Sequence, residues 1–135
     1  MLKLIVGLKG SGKTKTLIDL ANGSIKNTDG SVICIEKGTK LIHEIKHQVR
    51  LIDTEEYGID DAHALLGFVS GICASNHDVT DIFIDSALKI CNNDYAAFDK
   101  FVDAVNELAQ KLNVKIVMTS SIPTDEASET VKKYL

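Results

Sequence analysis

The chain of 135 residues has no tryptophan, one proline, one arginine and seven aromatic residues in all. So few aromatics leave no obvious platform on which a nucleobase would stack. One proline together with 44% hydrophobic residues excludes a disordered or low-complexity chain. Arg50 is the sole arginine and the net charge is −4, so the basic footprint needed to bind a phosphate backbone is missing and nucleic acid is a disfavoured partner. The three cysteines, Cys34, Cys73 and Cys91, are widely spaced and form no C-x-x-C pair, which fits reduced thiols rather than disulfides or a zinc cage. No apolar run approaches the ~20 residues that span a bilayer, and Met1 leads into a strand pattern without signal-peptide features, so the expected location is cytoplasmic. The length suits one domain, residues 1–135, around a single core.

What the chain does contain is Gly7-Leu8-Lys9-Gly10-Ser11-Gly12-Lys13-Thr14, a G-x-x-x-x-G-K-T run with the pattern of the Walker A phosphate-binding loop. Backbone N–H groups must close around phosphate oxygens there, and Gly7, Gly10 and Gly12 remove the side chains that would block the approach. Lys13 supplies a point charge for the β and γ phosphates, and the Thr14 hydroxyl is placed to ligate Mg²⁺. The expected nucleotide contacts run from Gly7 through Leu8, Lys9, Gly10, Ser11, Gly12, Lys13 and Thr14 to Lys15. The side chain of Lys9 is expected to face solvent.

Context supports the motif. Residues 2–6 before it are a short apolar run suited to a buried parallel strand, and 16–21 after it read as helix, stopped at Asn22-Gly23. A turn at 27–30 leads into a β-branched strand at 31–35 that ends in Glu36. Residues 39–48 read as a polar connector with a short helix, and 49–53 as a further short strand. From Asp60, the spacing of Ala62, Leu65, Leu66, Val69, Ile72 and Cys73 predicts an amphipathic helix, with Gly67 and Gly71 packed closely on the sheet. Ile82-Phe83-Ile84 is a buried strand ending in Asp85. A long amphipathic helix between Asp94 and Asn113, a strand at 114–118 with a polar end, and a last helix opened by Pro123 and Thr124 complete the chain. Strands alternating with helices predict an α/β fold, a three-layer parallel sheet of about five strands, with ligand bound at the carboxyl ends of the strands. The glycine-rich loop, Glu36, Asp53, Asp85 and Thr119 to Ser121 all fall at such ends.

Asp85, after three apolar residues, fits the Walker B aspartate, which holds Mg²⁺ from the side opposite Thr14. Hydrolysis also needs a group that orients or deprotonates water near the γ-phosphate. Position 86, where a second acid follows many Walker B aspartates, holds Ser86. Glu36 is the preferred base, with Asp53, Glu55 and Glu56 in reserve, and Thr119 or Ser120 is placed to sense the γ-phosphate. A finger supplied in trans by a homo-oligomer would have to be Arg50 or a lysine. His43-Glu44-Ile45-Lys46-His47 matches the zinc-protease H-E-x-x-H pattern, but the absence of a third ligand at a characteristic spacing and the polar setting argue against zinc.

Walker A, Asp85 and the polar strand end together resemble the P-loop NTPases, most closely the RecA-like branch, and the chain looks like small stand-alone proteins labelled twitching-motility (PilT-type) ATPases. Gly7 to Thr14 and the order of elements are also similar to the type II thymidine kinases, although Ser86 and the missing cysteine quartet depart from that pattern. The resemblance implies a P-loop NTPase fold and a cofactor pair of ATP and Mg²⁺, with Lys13 and Asp85 catalytic and Thr14 and Asp85 as metal ligands; Glu36, chosen for its place at the end of a strand, completes the expected catalytic group. ATP is preferred to GTP because no N-K-x-D pattern is present. Two functions lead that expectation, a slow ATPase or a nucleotide-dependent regulatory module, without turnover, whose protein partner reads its state; a nucleoside kinase is the less favoured third.

Overall fold

Alternate residues of the strands serve two cores, and this alternation builds the layers. A computed structural model describes residues 1–135 and contains strands β1 (Leu2–Val6), β2 (Ser31–Glu36), β3 (Val49–Asp53), β4 (Val79–Ile84) and β5 (Lys115–Ser120). All pair in parallel in the order β1-β5-β4-β2-β3. Ile33, Ile35, Ile82, Ile84, Ile116 and Met118 point to one face, under helices α2 (Ala62–Ser75) and α4 (Tyr95–Leu112). Val32, Cys34, Phe83 and Val117 point to the other, under α1 (Lys13–Ser24) and the 39–48 segment. The result is an α/β architecture with a five-stranded, all-parallel sheet flanked by helices, as expected. No helix is long and apolar enough to cross a membrane.

Helix ends follow local chemistry. The Asp61 carboxylate accepts the Ala64 N–H at 2.7 Å and Asp94 accepts that of Ala97 at 3.1 Å, so α2 and α4 start on side-chain caps. Helix α4 ends at Asn113, one of the few residue types that tolerates the left-handed φ of 55° found there.

Several expectations are corrected. Helix α1 does not stop at Asn22-Gly23 but runs to Ser24, because Leu17, Ile18, Ala21 and Ser24 are all buried and their packing outweighs the ~1 kcal/mol cost of a helical glycine. The 39–48 segment is a series of turns rather than a helix, held down by the buried Leu41 and Ile45. Gly67 and Gly71 do not touch the sheet: both are exposed, and a Cβ at either would meet nothing within 4 Å. Strand β4 begins at Val79, three residues earlier than its apolar run, and a one-turn helix α3 (Ala87–Ile90) follows it. The last predicted helix is two pieces, a 3-10 turn at Thr124–Glu126 and the short α5 (Glu129–Lys132), restarted where the Ser128 hydroxyl accepts the Val131 N–H at 3.1 Å.

Candidate functional site

Parallel pairing in register brings the carboxyl ends of the strands to one edge of the sheet, with Val6 opposite Ser120, Met118 opposite Ile84, Ile84 opposite Ile35, and Glu36 opposite Asp53. The residues expected at strand ends therefore do share an edge. A cleft of about 720 Å³ opens there. Its walls are the glycine-rich loop with the start of α1, the β4–α3 junction, and the turns after β2.

The loop is shaped by its glycines. Gly12 caps α1 in the left-handed region at φ 90°, and a Cβ at Gly7 would lie 2.7 Å from the Ser11 hydroxyl oxygen. The first hydrogen bond of α1 runs from the Thr16 N–H to the Gly12 carbonyl, so the N–H groups of Lys13, Thr14 and Lys15 precede the helical ladder. No side chain caps this helix, unlike α2 and α4. Lys13 is nearly buried and its ammonium donates to the Leu8 carbonyl at 2.8 Å. Lys9, Gly10, Gly12, Lys13, Thr14 and Lys15 line the cleft, whereas Leu8 is 64% exposed with its side chain outside it. Lys9 is solvent-facing, as expected, on the rim of the same cleft.

Asp85 is the point where the walls meet. The Thr14 hydroxyl donates to Asp85 Oδ1 at 3.1 Å, across 71 residues of sequence, and the Thr119 hydroxyl donates to the same oxygen at 2.7 Å. Thr119 also accepts the Ser86 N–H at 2.8 Å, which fixes Ser86 in a left-handed conformation at φ 56°. The Ser120 hydroxyl accepts the Leu88 N–H at 3.2 Å. Two hydroxyls at the end of β5 thus satisfy the first amides of α3 while one of them orients Asp85. Thr119, expected as a phosphate sensor, is buried and has its one proton committed to Asp85.

Glu36 occupies a different position from the one its role as base requires. The residue is 3% exposed, its carboxylate accepts the Lys40 N–H at 3.0 Å and the Leu41 N–H at 3.1 Å, and it is not among the cleft-lining groups. Burial raises its pKa above the usual carboxylate value, the two amide bonds oppose the rise, and the charges of Asp85 and Asp53 add to it. Asp53 accepts the Gly38 and Glu55 N–H groups, at 2.8 and 2.9 Å, as a turn-capping residue. Glu55, Glu56 and Arg50 are exposed and line no part of the cleft. Behind the sheet edge, burial, aided by Glu36 and Asp85, pushes the Cys34 thiol up to about 12, which makes it inert.

Chemistry comes also from residues to which the sequence reading gave no part in the phosphate site. Lys40 and Glu44 reach the cleft from the turns after β2, Lys89 from α3, and Asn93 from the turn beyond it. Each follows the carboxyl end of a strand by no more than nine residues, so the strand-end rule applied a little further along the chain finds all four. His43 and His47 lie in exposed turns rather than on one helical face, and no three His, Cys, Asp or Glu side chains converge as a metal cage.

No protein-family model matches the chain, and no curated protein does. What the cleft can do follows from its donors and charges. Five lysines and two carboxylates line it in a chain whose net charge is −4, so the local field is that of an anion site. Backbone N–H groups at the start of α1 point the same way.

Proposed function

We propose that the chain is a P-loop protein of the RecA-like kind that binds Mg-ATP and turns it over slowly. The observation that carries this reading is the Thr14 hydroxyl 3.1 Å from Asp85 at the mouth of the glycine-rich loop. A hydroxyl and a carboxylate so placed are hard oxygen donors, the set Mg²⁺ takes when phosphate oxygens and water complete its shell. The metal would offset phosphate charge, while Lys13 and the loop amides hold the phosphates. The bonds from Thr119 and Ser86 would keep the Asp85 carboxylate aimed at Thr14.

A specific observation favours a second reading, the regulatory module without turnover. Ser86 stands where a second acid would help, and Glu36 is engaged by two amides. The carboxylate left in the cleft beside Asp85 is that of Glu44.

Calorimetric titration with Mg-ATP, followed by single-turnover hydrolysis on the same sample, tests both. Wild-type binding should vanish in Lys13→Ala. Undiminished binding in that variant would overturn the nucleotide reading, and binding without turnover would select the regulatory one.

A further inference from the structure

The chain has one arginine, and Arg50 sits on β3, at the sheet edge opposite β1 and away from the cleft. The cations that line the cleft are lysines, and they are not equivalent. Lys15 is paired with Asp19 at 2.8 Å, Lys13 is folded into the loop on the Leu8 carbonyl, and Lys9, exposed and unpaired, belongs to the loop itself. Lys40 and Lys89 come from outside the loop, are exposed, and take part in none of the ion pairs of the chain.

Their backbones, in contrast, are firmly held. Lys40 follows β2 in a segment without regular structure, yet the Glu36 carboxylate accepts the Lys40 and Leu41 N–H groups. A few residues on, the Asn22 side chain of α1 donates to the Glu44 carbonyl at 2.8 Å and accepts the Lys46 N–H at 2.9 Å. The segment is clamped at two points, one on the sheet and one on the helix that starts at Lys13. Lys89 rides on α3, whose first amides are held by the same Thr119 that orients Asp85 and by Ser120. Two free ammonium groups on fixed backbone, facing one cleft from two elements, form a recognition device for added negative charge.

We propose that Lys40 and Lys89 are a second cationic arm, supplied in cis, that reads the terminal phosphate of a nucleoside triphosphate, and that Glu36 is the positioning residue for Lys40. This rests on the nucleotide reading above and deepens it. The loop and Lys13 hold the phosphates common to both ligands, and the arm distinguishes triphosphate from diphosphate.

The probes are ATP and ADP with Mg²⁺, titrated calorimetrically into the full chain. Wild type should prefer ATP, and Lys40→Ala and Lys89→Ala should each lower that preference by about tenfold with the ADP affinity nearly unchanged. Both side chains are exposed, so the melting temperature should hold, and Lys40→Arg should restore the preference. Glu36→Gln offers one acceptor oxygen to two N–H groups and should lower the ATP-to-ADP affinity ratio although Lys40 is intact. A base would affect turnover and leave that ratio alone. Wild type binding both nucleotides equally, or the double lysine variant keeping the ATP preference, overturns the proposal while the nucleotide reading stands. Wild type binding neither nucleotide overturns both.

Discussion

At Asp85 one carboxylate accepts hydroxyls from three elements: Thr14 at 3.1 Å, Thr119 at 2.7 Å and Ser86 at 3.5 Å. Thr119 is the pivotal donor, because it alone also satisfies a backbone N–H. Thr119→Val keeps the volume and removes both bonds, leaving the Ser86 N–H without its acceptor, at a cost of about 1–3 kcal/mol. The expected outcome is a lower denaturant midpoint with unchanged m, together with weaker Mg-ATP binding; a midpoint equal to wild type would mean that the Ser86 amide finds another acceptor. The residue types at this edge were legible in the sequence, since a glycine-rich run, a strand-terminal Asp and a Thr-Ser pair announce themselves. Their bonding was not. Whether Glu36 faces a cleft or caps a turn depends on where the chain goes after Gly38, and no local pattern records that path.

Helices and strands were legible in proportion to their periodicity. Helix α4, with Phe98, Phe101, Val102, Val105 and Ala109 on one buried face, was visible in full, whereas α3 is one turn long and has no period to detect. The glycines make the contrast measurable. A Cβ on Gly30, at the turn before β2, would clash with the Asp78 carbonyl and the Thr80 methyl of the neighbouring strand and its lead-in. Gly30→Ala should therefore destabilise the chain by about 1–3 kcal/mol, as overpacking does. Gly67 and Gly71 face open space in the middle of α2, so alanine at either should stabilise by about 0.5–1 kcal/mol through helix propensity. Thermal melts of the three variants check both signs. Destabilisation at Gly67 would restore the close packing on the sheet expected for Gly67 and Gly71.

For the molecule as a whole, strand order and surface charge were the parts that sequence averages hid. A net charge of −4 conceals a cleft in which five lysines outnumber two carboxylates, because most of the acids lie elsewhere. Pairing choices likewise belong to the assembled sheet, which leaves β1 at an edge. The tail covers that edge: the Leu4 N–H donates to the Tyr134 carbonyl at 2.8 Å. Asp103 on α4 anchors the tail, accepting from Lys133 at 2.9 Å and from the Tyr134 hydroxyl at 2.8 Å. These bonds, Lys133 first and Tyr134 second, hold the Asp103 carboxyl below the usual aspartate value of 3.8. A carboxyl with a lowered pKa in the docked state contributes stability above its undocked value and loses it as pH falls through the docked one. The tail should therefore be held more firmly at neutral pH and loosen as pH falls below 3.8. Hydrogen exchange at the Leu4 amide reads this directly: its protection should drop over that acidic range in wild type, and should be lower at neutral pH and less dependent on pH in Asp103→Asn. Matching pH profiles for the two proteins would mean that Asp103 does not hold the tail on β1.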